Sequence, residues 1–571
     1  MRAIDWFILI SSLIFIVLYG LWKSRGNKDI QGYLLADRNM RWFPILLSIM
    51  ATQASAITFL SVPGQAYVDG IRFVQFYLGL PLAMIILSIT AVPIFHRLKV
   101  YTAYEYLENR FDVKTRTLGS LLFMTQRGLA AGLTIYAPSL ILSILLDWNL
   151  YWTNFFIGFL VIIYTTVGGT RAVNWTHFQQ MVIITIGMFA AFFLIIKLLP
   201  ADISFLQAVQ LSGKLGKLNA IDFSFDLNNR YTFWSGIIGG LFLQLSYFGT
   251  DQSQVQRYLT GKSVAHSRMA LLFNGIIKIP MQFSILFLGA ILFIFYQFNT
   301  PPIFFNSVAT SQIKKSNYSA QFSQLEDQYR LISEKKAQAV RDLAVSIDSR
   351  NPELENEKKQ GVQALQEKAQ EVRKNAIELI RKNDPEVDPS DTNYIFLSYV
   401  IRYFPAGMVG LILAVIFAAS MSSTASELNA LASTTVVDIY KRLFRKKSND
   451  RHYLLISKIA TLGWGLYAIL LAEFASRLGS LIEAVNIVGS VFYGTILGIF
   501  LVGFYFPSNK GSATFYAAIL AELLVLYCFF FTEITFLWYN VIGCLGVIVF
   551  SFILRYFFRK QQPANHVASA A

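Results

Sequence analysis

Long apolar runs without charged residues recur along nearly the whole chain, and they limit the fold more than any other feature. A run of about 18 or more apolar residues is long enough to cross the hydrocarbon core of a bilayer as one α-helix. Hydrophobic residues make up 55% of the 571-residue chain, more than a water-soluble domain of this size needs. The sequence therefore predicts an all-α polytopic membrane protein with about 13 transmembrane helices. The predicted spans start near Ile4, Trp42, Phe73, Leu118, Tyr151, Trp175, Tyr231, Arg268, Phe404, Leu454, Ser480, Ala513 and Leu537.

The positions of the basic residues predict how the spans are oriented. Loops with many Lys and Arg residues alternate with loops that have few, as the positive-inside rule requires. This alternation explains the net charge of +15 without a nucleic-acid partner. It places the N-terminus outside and the C-terminus in the cytoplasm of a multi-pass membrane protein. The first span lacks a small-residue cleavage site and precedes Lys23, so we expect a retained anchor and not a signal peptide.

A segment of different composition, residues 306–392, interrupts the apolar pattern. Charged residues of both signs dominate it, and apolar residues recur at steps of three and four on both sides of a turn at Asn351-Pro352. The pattern predicts an extramembrane coiled-coil hairpin, which the loop order puts on the outer side. Two interpretations stay open: an element that binds a periplasmic partner or caps a gate, and an insertion without a role in transport.

Two spans combine small and polar residues at their centres, which is typical of helices that unwind near the bilayer midplane. The centre of the span 44–63 reads ATQASA, and in the span 231–252 a Gly-Gly pair precedes several polar residues. The two spans lie about five helices apart, as in an inverted-repeat transporter whose halves each begin with a broken helix. The alternative is that the small residues only permit close helix packing.

A third apolar span, FAASMSSTASELNALAST, contains an unusual density of hydroxyl groups. A small hard cation such as Na⁺ needs several oxygen ligands to replace its water. The adjacent hydroxyls of Ser422 and Ser423, together with carbonyls freed by unwinding near Ala51 and Ala54, can supply them. Glu427 lies one helical turn further on, where we expect it to cap the helix or to pair with a basic group at the cytoplasmic edge.

Several long motifs resemble those of the sodium:solute symporter family over roughly residues 42–505, outside the insert. They are YTTVGGTRAVNWTHFQQ, RYTFWSGIIGG with QSQVQRYLTGKS, and MSSTASELNALASTTVVDIY, while FHRLKVYTAYEYLENRF and IYAPSLIL are most similar to the iodide, monocarboxylate and multivitamin branch. The resemblance implies a LeuT-type core of two inverted repeats of five helices, with extra helices at both ends. The boundaries expected from it are 1–40 for an extra helix and a cytoplasmic loop, 41–199 for the first repeat, 200–230 for an external loop, 231–305 for the start of the second repeat, 306–392 for the hairpin, 393–507 for the rest of the second repeat, and 508–571 for the C-terminal helices and tail.

The resemblance also implies a sodium site. In the family, backbone carbonyls of the first core helix and oxygens of the eighth bind one co-transported Na⁺. Carried over residue by residue, these positions are Ala51, Ala54, Ala419, Ser422 and Ser423. No organic cofactor is expected.

A second Na⁺ is less well supported by the sequence. Some members of the family hold one with a further pair of serines and an aspartate, and those positions here are Ala425, Ser426 and His177. One hydroxyl and the carboxylate are therefore missing. His177 suggests proton coupling, because histidine titrates near neutral pH; the alternative is an ordinary polar residue at the membrane surface.

The resemblance to bacterial sodium/sugar symporters places substrate contacts at polar positions of four helices. Tyr77 stands where a sugar-binding member has a glutamate. Sialic acid transporters of the family hold a carboxylate with an arginine on the helix that contains Arg127, and arginine is well suited to bind that group in a bidentate manner. Alternatively, Arg127 forms an internal salt bridge or extends towards an interface. The full set of predicted substrate residues is Gln53, Thr58, Tyr77, Arg127, Gln244, Tyr247 and Lys278.

The sequence thus predicts a sodium-coupled symporter that imports a small polar solute by alternating access. The predicted substrate site contains two basic residues, Arg127 and Lys278, and has Tyr77 in place of a carboxylate. This favours an anionic substrate, such as a sugar acid or a monocarboxylate; a neutral sugar is the alternative. A transporter-like solute sensor is a second class of function. An enzyme is not expected, because the non-membrane segments show no nucleophile–base pair, metal cluster or phosphate loop.

Overall fold

The computed structural model describes residues 2–24, 30–146, 148–349, 351–475 and 479–559. Every regular element within these ranges is helical, which confirms the all-α prediction. The α-helices are α1 (Ala3–Ser24), α2 (Ile30–Leu35), α3 (Trp42–Gln53), α4 (Ala56–Asp69), α5 (Leu80–Ile89), α6 (Ala91–Leu98), α7 (Glu105–Arg110), α8 (Val113–Leu146), α9 (Leu150–Lys197), α10 (Phe205–Lys214), α11 (Gly240–Gly249), α12 (Gln252–Leu259), α13 (Val264–Phe298), α14 (Ser307–Ile313), α15 (Ser319–Asp348), α16 (Pro352–Asn383), α17 (Thr392–Tyr403), α18 (Met408–Thr434), α19 (Asp450–Ala472), α20 (Leu481–Tyr505), α21 (Gly511–Phe531) and α22 (Phe536–Arg559).

The apolar helices occur where the hydrophobic runs predict them. Nine helical stretches of the described residues are long and apolar enough to span a membrane, and four shorter apolar helices lie at the remaining predicted positions. Helix α9 differs from the prediction, because it continues through both spans expected near Tyr151 and Trp175. The segment contains no proline, the residue that most strongly ends a helix. The total of thirteen spans therefore stays a prediction.

The first of the two predicted helix breaks lies within the expected span. Helix α3 ends at Gln53, Ala54 adopts φ −90° and ψ 76°, and α4 begins at Ala56. The carbonyl groups of the last turn of a helix have no amide partner four residues further on. The break therefore frees backbone oxygens in the middle of an apolar span.

The second break is shifted along the chain relative to the Gly-Gly pair. A short π-helical turn, Ser235–Gly239, leads directly into α11, and the chain bends only at Thr250 and Asp251 before α12. The two glycines serve close packing instead: a Cβ on Gly240 would lie 2.8 Å from the carbonyl oxygen of Phe76. The two glycines therefore permit close helix packing, which was the alternative explanation of the small residues. The helix break itself lies further along the chain, at Thr250 and Asp251.

Helix α18 contains the hydroxyl-rich stretch and lies inside the bundle. All of its residues from 412 to 434 are buried, and it packs against α1, α3, α4, α8, α9, α12 and α19. Protein therefore surrounds the hydroxyl groups of this helix, where they can hydrogen-bond to neighbouring helices.

The charged segment forms two long helices, α15 and α16, which pack against each other through Tyr329, Ala369 and Ala376. We refer to α15, α16 and their connection as the hairpin. It also packs on α10 and the end of α13, with apolar contacts and with an ion pair of 2.9 Å between Arg341 and Asp202. The hairpin is thus attached along its length to the helical bundle.

Helix α4 and helix α17 approach so closely that only glycine fits between them. A Cβ on Gly64 would lie 2.0 Å from the carbonyl oxygen of Thr392, whereas one on Gly463 in α19 meets no atom of the described residues within 4 Å. We expect Gly64→Ala to lower the free energy of unfolding by about 1–3 kcal/mol, because the backbone must move. Gly463→Ala, the matched control, is expected to be neutral or stabilising by about 0.5–1 kcal/mol. Thermal unfolding of the detergent-solubilised proteins measures both; equal effects would contradict the close approach.

Candidate functional site

The break between α3 and α4 faces the hydroxyl-rich helix α18. Ser422 donates a hydrogen bond of 3.1 Å from its Oγ to the carbonyl oxygen of Ala51. Ser55, the residue after the break, has extended backbone with φ −78° and ψ 174°. The unwound segment and Ser422, which are about 370 residues apart in sequence, are therefore in contact.

The second serine of the pair bonds within its own helix. Ser423 donates from Oγ to the carbonyl oxygens of Ala419 and Ser420, at 3.1 and 3.2 Å. Ser423 also lines a cavity beside the break. Carbonyl and hydroxyl oxygens without a carboxylate are suitable ligands for a monovalent hard cation, and the residues around the break supply both types.

His177 is buried close to the same serines. Its Nδ1 lies 3.0 Å from the Oγ of Ser48, and its Nε2 lies 3.4 Å from the carbonyl oxygen of Ser422. Ser426 donates to the same carbonyl at 3.0 Å, while Ala425 offers no side-chain oxygen. The expectation of a surface position for His177 is wrong, because the ring is fully buried.

A cavity of about 80 Å³, the central cavity, lies between α4, α8, α11, α18 and α20. Gln53 and Thr58 border it on one side, and aromatic rings close part of its wall. Of the seven predicted substrate residues, six line it: Gln53, Thr58, Tyr77, Arg127, Gln244 and Tyr247.

Lys278 is the seventh predicted substrate residue, and the structure does not place it in the lining of the central cavity. It is fully buried in α13, and its Nζ has no hydrogen-bond partner among the described residues. One turn earlier, Gly275 packs against Met84 of α5. Lys278 therefore lies within the helix packing rather than at the cavity.

Arg127 is engaged by two carboxylates in the wall of the central cavity. Its guanidinium contacts Asp251 through Nη2 and Glu427 through Nη1, the latter at 3.1 Å. The hydroxyl of Tyr493 accepts from Nη2 at 2.6 Å and donates to Asp251 at 2.9 Å, and Thr134 donates to Glu427 at 2.9 Å. Arg127, Asp251 and Glu427, called the Arg127 cluster below, are each at most 4% exposed.

The Arg127 cluster changes two expectations from the sequence. Glu427 does not lie at the cytoplasmic edge; it pairs with a basic group, but in the buried wall of the cavity. Arg127 forms the internal salt bridge that was the alternative to an anion anchor. The guanidinium carbon of Arg127 lies 5.6 Å from the centroid of the Tyr247 ring, which adds a cation–π interaction.

Asp251 and Tyr493 are site residues that the sequence analysis missed. Asp251 follows Gly249-Thr250 at the second helix break, and its Oδ1 accepts from the amide of Ser253 at 2.8 Å, so it also caps α12. An acidic residue at the end of an apolar broken span was a signal that could have been used. Tyr493 stands among apolar residues of α20 and gives no such signal.

The comparisons with known proteins identify the fold and the family of this chain. The solved structure of a Na⁺-coupled sialic acid symporter, in a substrate-bound outward-open state, is similar over 98% of this chain and 98% of that chain, with a TM-score of 0.74 and 22% identity. The fold is therefore that of the LeuT-type membrane transporters. The chain belongs to the sodium:solute symporter family, whose model matches residues 33–322 and 385–520. The unmatched residues between these parts lie within the predicted insert.

Similar curated proteins include two animal transporters. The human sodium/iodide cotransporter is 26% identical over 493 residues, which is 86% of this chain and 64% of that protein. The sodium-coupled monocarboxylate transporter 1 of Xenopus laevis is 27% identical over 510 residues, covering 88% of this chain and 67% of that protein. This chain thus spans about two thirds of their length. It is a multi-pass membrane protein.

Proposed function

We propose that this protein is a sodium-coupled symporter that moves a small polar solute across the membrane by alternating access. The observation that carries the proposal is the hydrogen bond of Ser422 to the freed carbonyl of Ala51, at the break between α3 and α4. A cation at this point binds both the broken helix and α18. It therefore stabilises the arrangement in which the two are in contact, and this differential affinity couples ion binding to the conformation.

The proposed sodium ligands are Ala51, Ala54, Ala419, Ser422 and Ser423, and the ion is co-transported rather than resident. The proposed location is the inner membrane of a bacterium, with the N-terminus outside and the hairpin on the outer side. This orientation rests on the alternation of basic loops. Inward flow of Na⁺ would then drive uptake of the solute.

A neutral polar solute is the substrate class that the central cavity supports best. With all three groups ionised, the Arg127 cluster has one positive and two negative charges, so the guanidinium is already neutralised. Four buried polar atoms of the cavity lining have no partner among the described residues: Oε1 of Gln53, both Oε1 and Nε2 of Gln244, and Nε of Arg127. Amides donate and accept neutral hydrogen bonds, which suits hydroxyl or amide groups of a substrate.

An anion is the second candidate. It is favoured by the names of similar proteins, which include iodide and monocarboxylate cotransporters. To bind at Arg127, a substrate carboxylate would have to displace Glu427 or Asp251 from the guanidinium.

Counterflow in proteoliposomes distinguishes these candidates. Proteoliposomes that contain the purified protein are preloaded with one member of a panel of neutral sugars, sugar acids and short monocarboxylates. The uptake of the same solute in labelled form is then measured with Na⁺ or with choline outside. We expect sodium-stimulated exchange, strongest for a neutral polar solute. Exchange for anions alone would contradict the neutral class, and binding without exchange would identify a solute sensor instead of a symporter.

A further inference from the structure

A second polar cavity, the hairpin cavity, lies between the hairpin and the helical bundle. Its volume is about 100 Å³, and it shares no lining residue with the central cavity. The wall consists of the end of α4, the segment after α10, the end of α13, and both helices of the hairpin. Three basic side chains line it: Lys217, Lys336 and Arg373.

Lys336 is the residue that interrupts the apolar pattern of α15. It is only 3% exposed, and its Nζ donates one hydrogen bond of 3.0 Å to Oε1 of Gln366. No carboxylate of the described residues forms an ion pair with it. An ammonium group has three donors, and a buried charge is costly unless it is paired. Burial lowers the pKa of Lys336 to about 8, which reflects this missing negative charge.

Lys217 approaches the cavity from the bundle. Its Nζ donates to the carbonyl of Val68 and lies 4.5 Å from the ring centroid of Phe293. Burial lowers the pKa of Lys217 to about 8, although the nearby carboxylate of Asp69 acts in the opposite direction. That carboxylate is itself bonded to Gln65. The charge of Lys217 is therefore only partly balanced.

Arg373 completes the set from α16, and Asp391 balances its charge through an ion pair. The other polar groups of the wall are the tyrosines Tyr67 and Tyr329 and the amides of three glutamines. With both lysines protonated, the cavity has an excess of positive charge and several neutral hydrogen-bond donors, as an anion site requires.

We propose that the hairpin cavity binds a small oxyanion of the class of phosphate, which bridges Lys336 of the hairpin and Lys217 of the bundle. A water molecule occupies about 30 Å³ in the liquid, so a cavity of this size has room for an ion of several heavy atoms. Lys217 lies in the segment after α10 and donates to the carbonyl of Val68 at the end of α4, the half-helix that starts at the break after Gln53. The bound ion therefore links the hairpin, through Lys217, to this half-helix.

Thermal unfolding of the purified full-length protein tests the proposal. Sodium phosphate is titrated against sodium chloride at constant Na⁺ concentration and ionic strength, at pH 7. We expect phosphate to raise the melting temperature of the unaltered protein by roughly 3 °C more than chloride does. The stabilisation should shrink above pH 8, because both lysines then lose the protons that hold the anion.

Two variants show where the phosphate binds. Lys336→Gln should lose the phosphate-specific shift, and Lys217→Gln should lose it too, which provides a second test if one variant fails to fold. Lys335→Gln removes the same charge from an exposed neighbour on α15 and should keep the shift. An equal shift in all three variants, or no phosphate-specific shift in the unaltered protein, would overturn the proposal.

Discussion

Ser422→Ala and Ser423→Ala are each expected to abolish nearly all sodium-stimulated uptake at the Na⁺ concentration that half-saturates the unaltered protein, while leaving the protein folded. Ser422 is the group that links α18 to the freed carbonyl of Ala51. Loss of one ligand to a charged ion removes about 1.5–3 kcal/mol, so the affinity for Na⁺ should fall roughly 10- to 100-fold. Uptake in proteoliposomes as a function of Na⁺ concentration measures this change, and thermal unfolding checks the fold.

Ser433→Ala is the matched control for the serine pair. Ser433 is a buried serine of the same helix, and it donates to the carbonyl of Asn429 at 2.6 Å, away from the break. Its loss should leave the sodium dependence of uptake intact. If both Ser422→Ala and Ser423→Ala keep the sodium dependence of the unaltered protein, the proposed ion site is refuted.

Arg127→Ala is expected to cause the largest loss of stability among the cavity variants. It leaves Asp251 and Glu427 buried together without a cation, and removal of one partner from a buried ion pair costs about 3–5 kcal/mol. Glu427→Gln instead leaves a balanced pair of one guanidinium and one carboxylate. We expect that variant to change the free energy of unfolding by at most about 1 kcal/mol.

The combination of the two changes tests the coupling directly. Arg127→Ala with Glu427→Gln retains only one buried carboxylate, so it should be more stable than Arg127→Ala alone. Uptake by Arg127→Ala should fall for neutral and anionic solutes alike. If the variant stays stable and loses anion uptake selectively, Arg127 is an anion anchor and the structural role assigned to the Arg127 cluster is wrong.

Local sequence patterns predicted those features that depend on neighbouring residues. Apolar runs were enough for the all-α fold, because spanning a bilayer requires about 20 such residues. The small and polar residues from Ala51 to Ala56 predicted the break, since no long apolar side chain there favours lipid.

Features that depend on distant pairing could not be predicted in this way. Arg127 and Glu427 are 300 residues apart, and only the packing of α8 against α18 reveals that they neutralise each other. Lys278 matches a family position by sequence, yet its helix face is directed into packing. The continuity of α9 was also missed, because two apolar stretches in one helix have the same composition as two spans.

His177 is buried against Ser48 and Ser422, and the proposed function has one sodium site, so the energy of one Na⁺ limits how far the solute can be concentrated. One Na⁺ moving down a tenfold gradient releases about 1.4 kcal/mol, and its charge crossing 100 mV adds about 2.3 kcal/mol. Together, ~3.7 kcal/mol can concentrate a neutral solute roughly 400-fold. A carrier that moved two such ions would reach the square of that ratio.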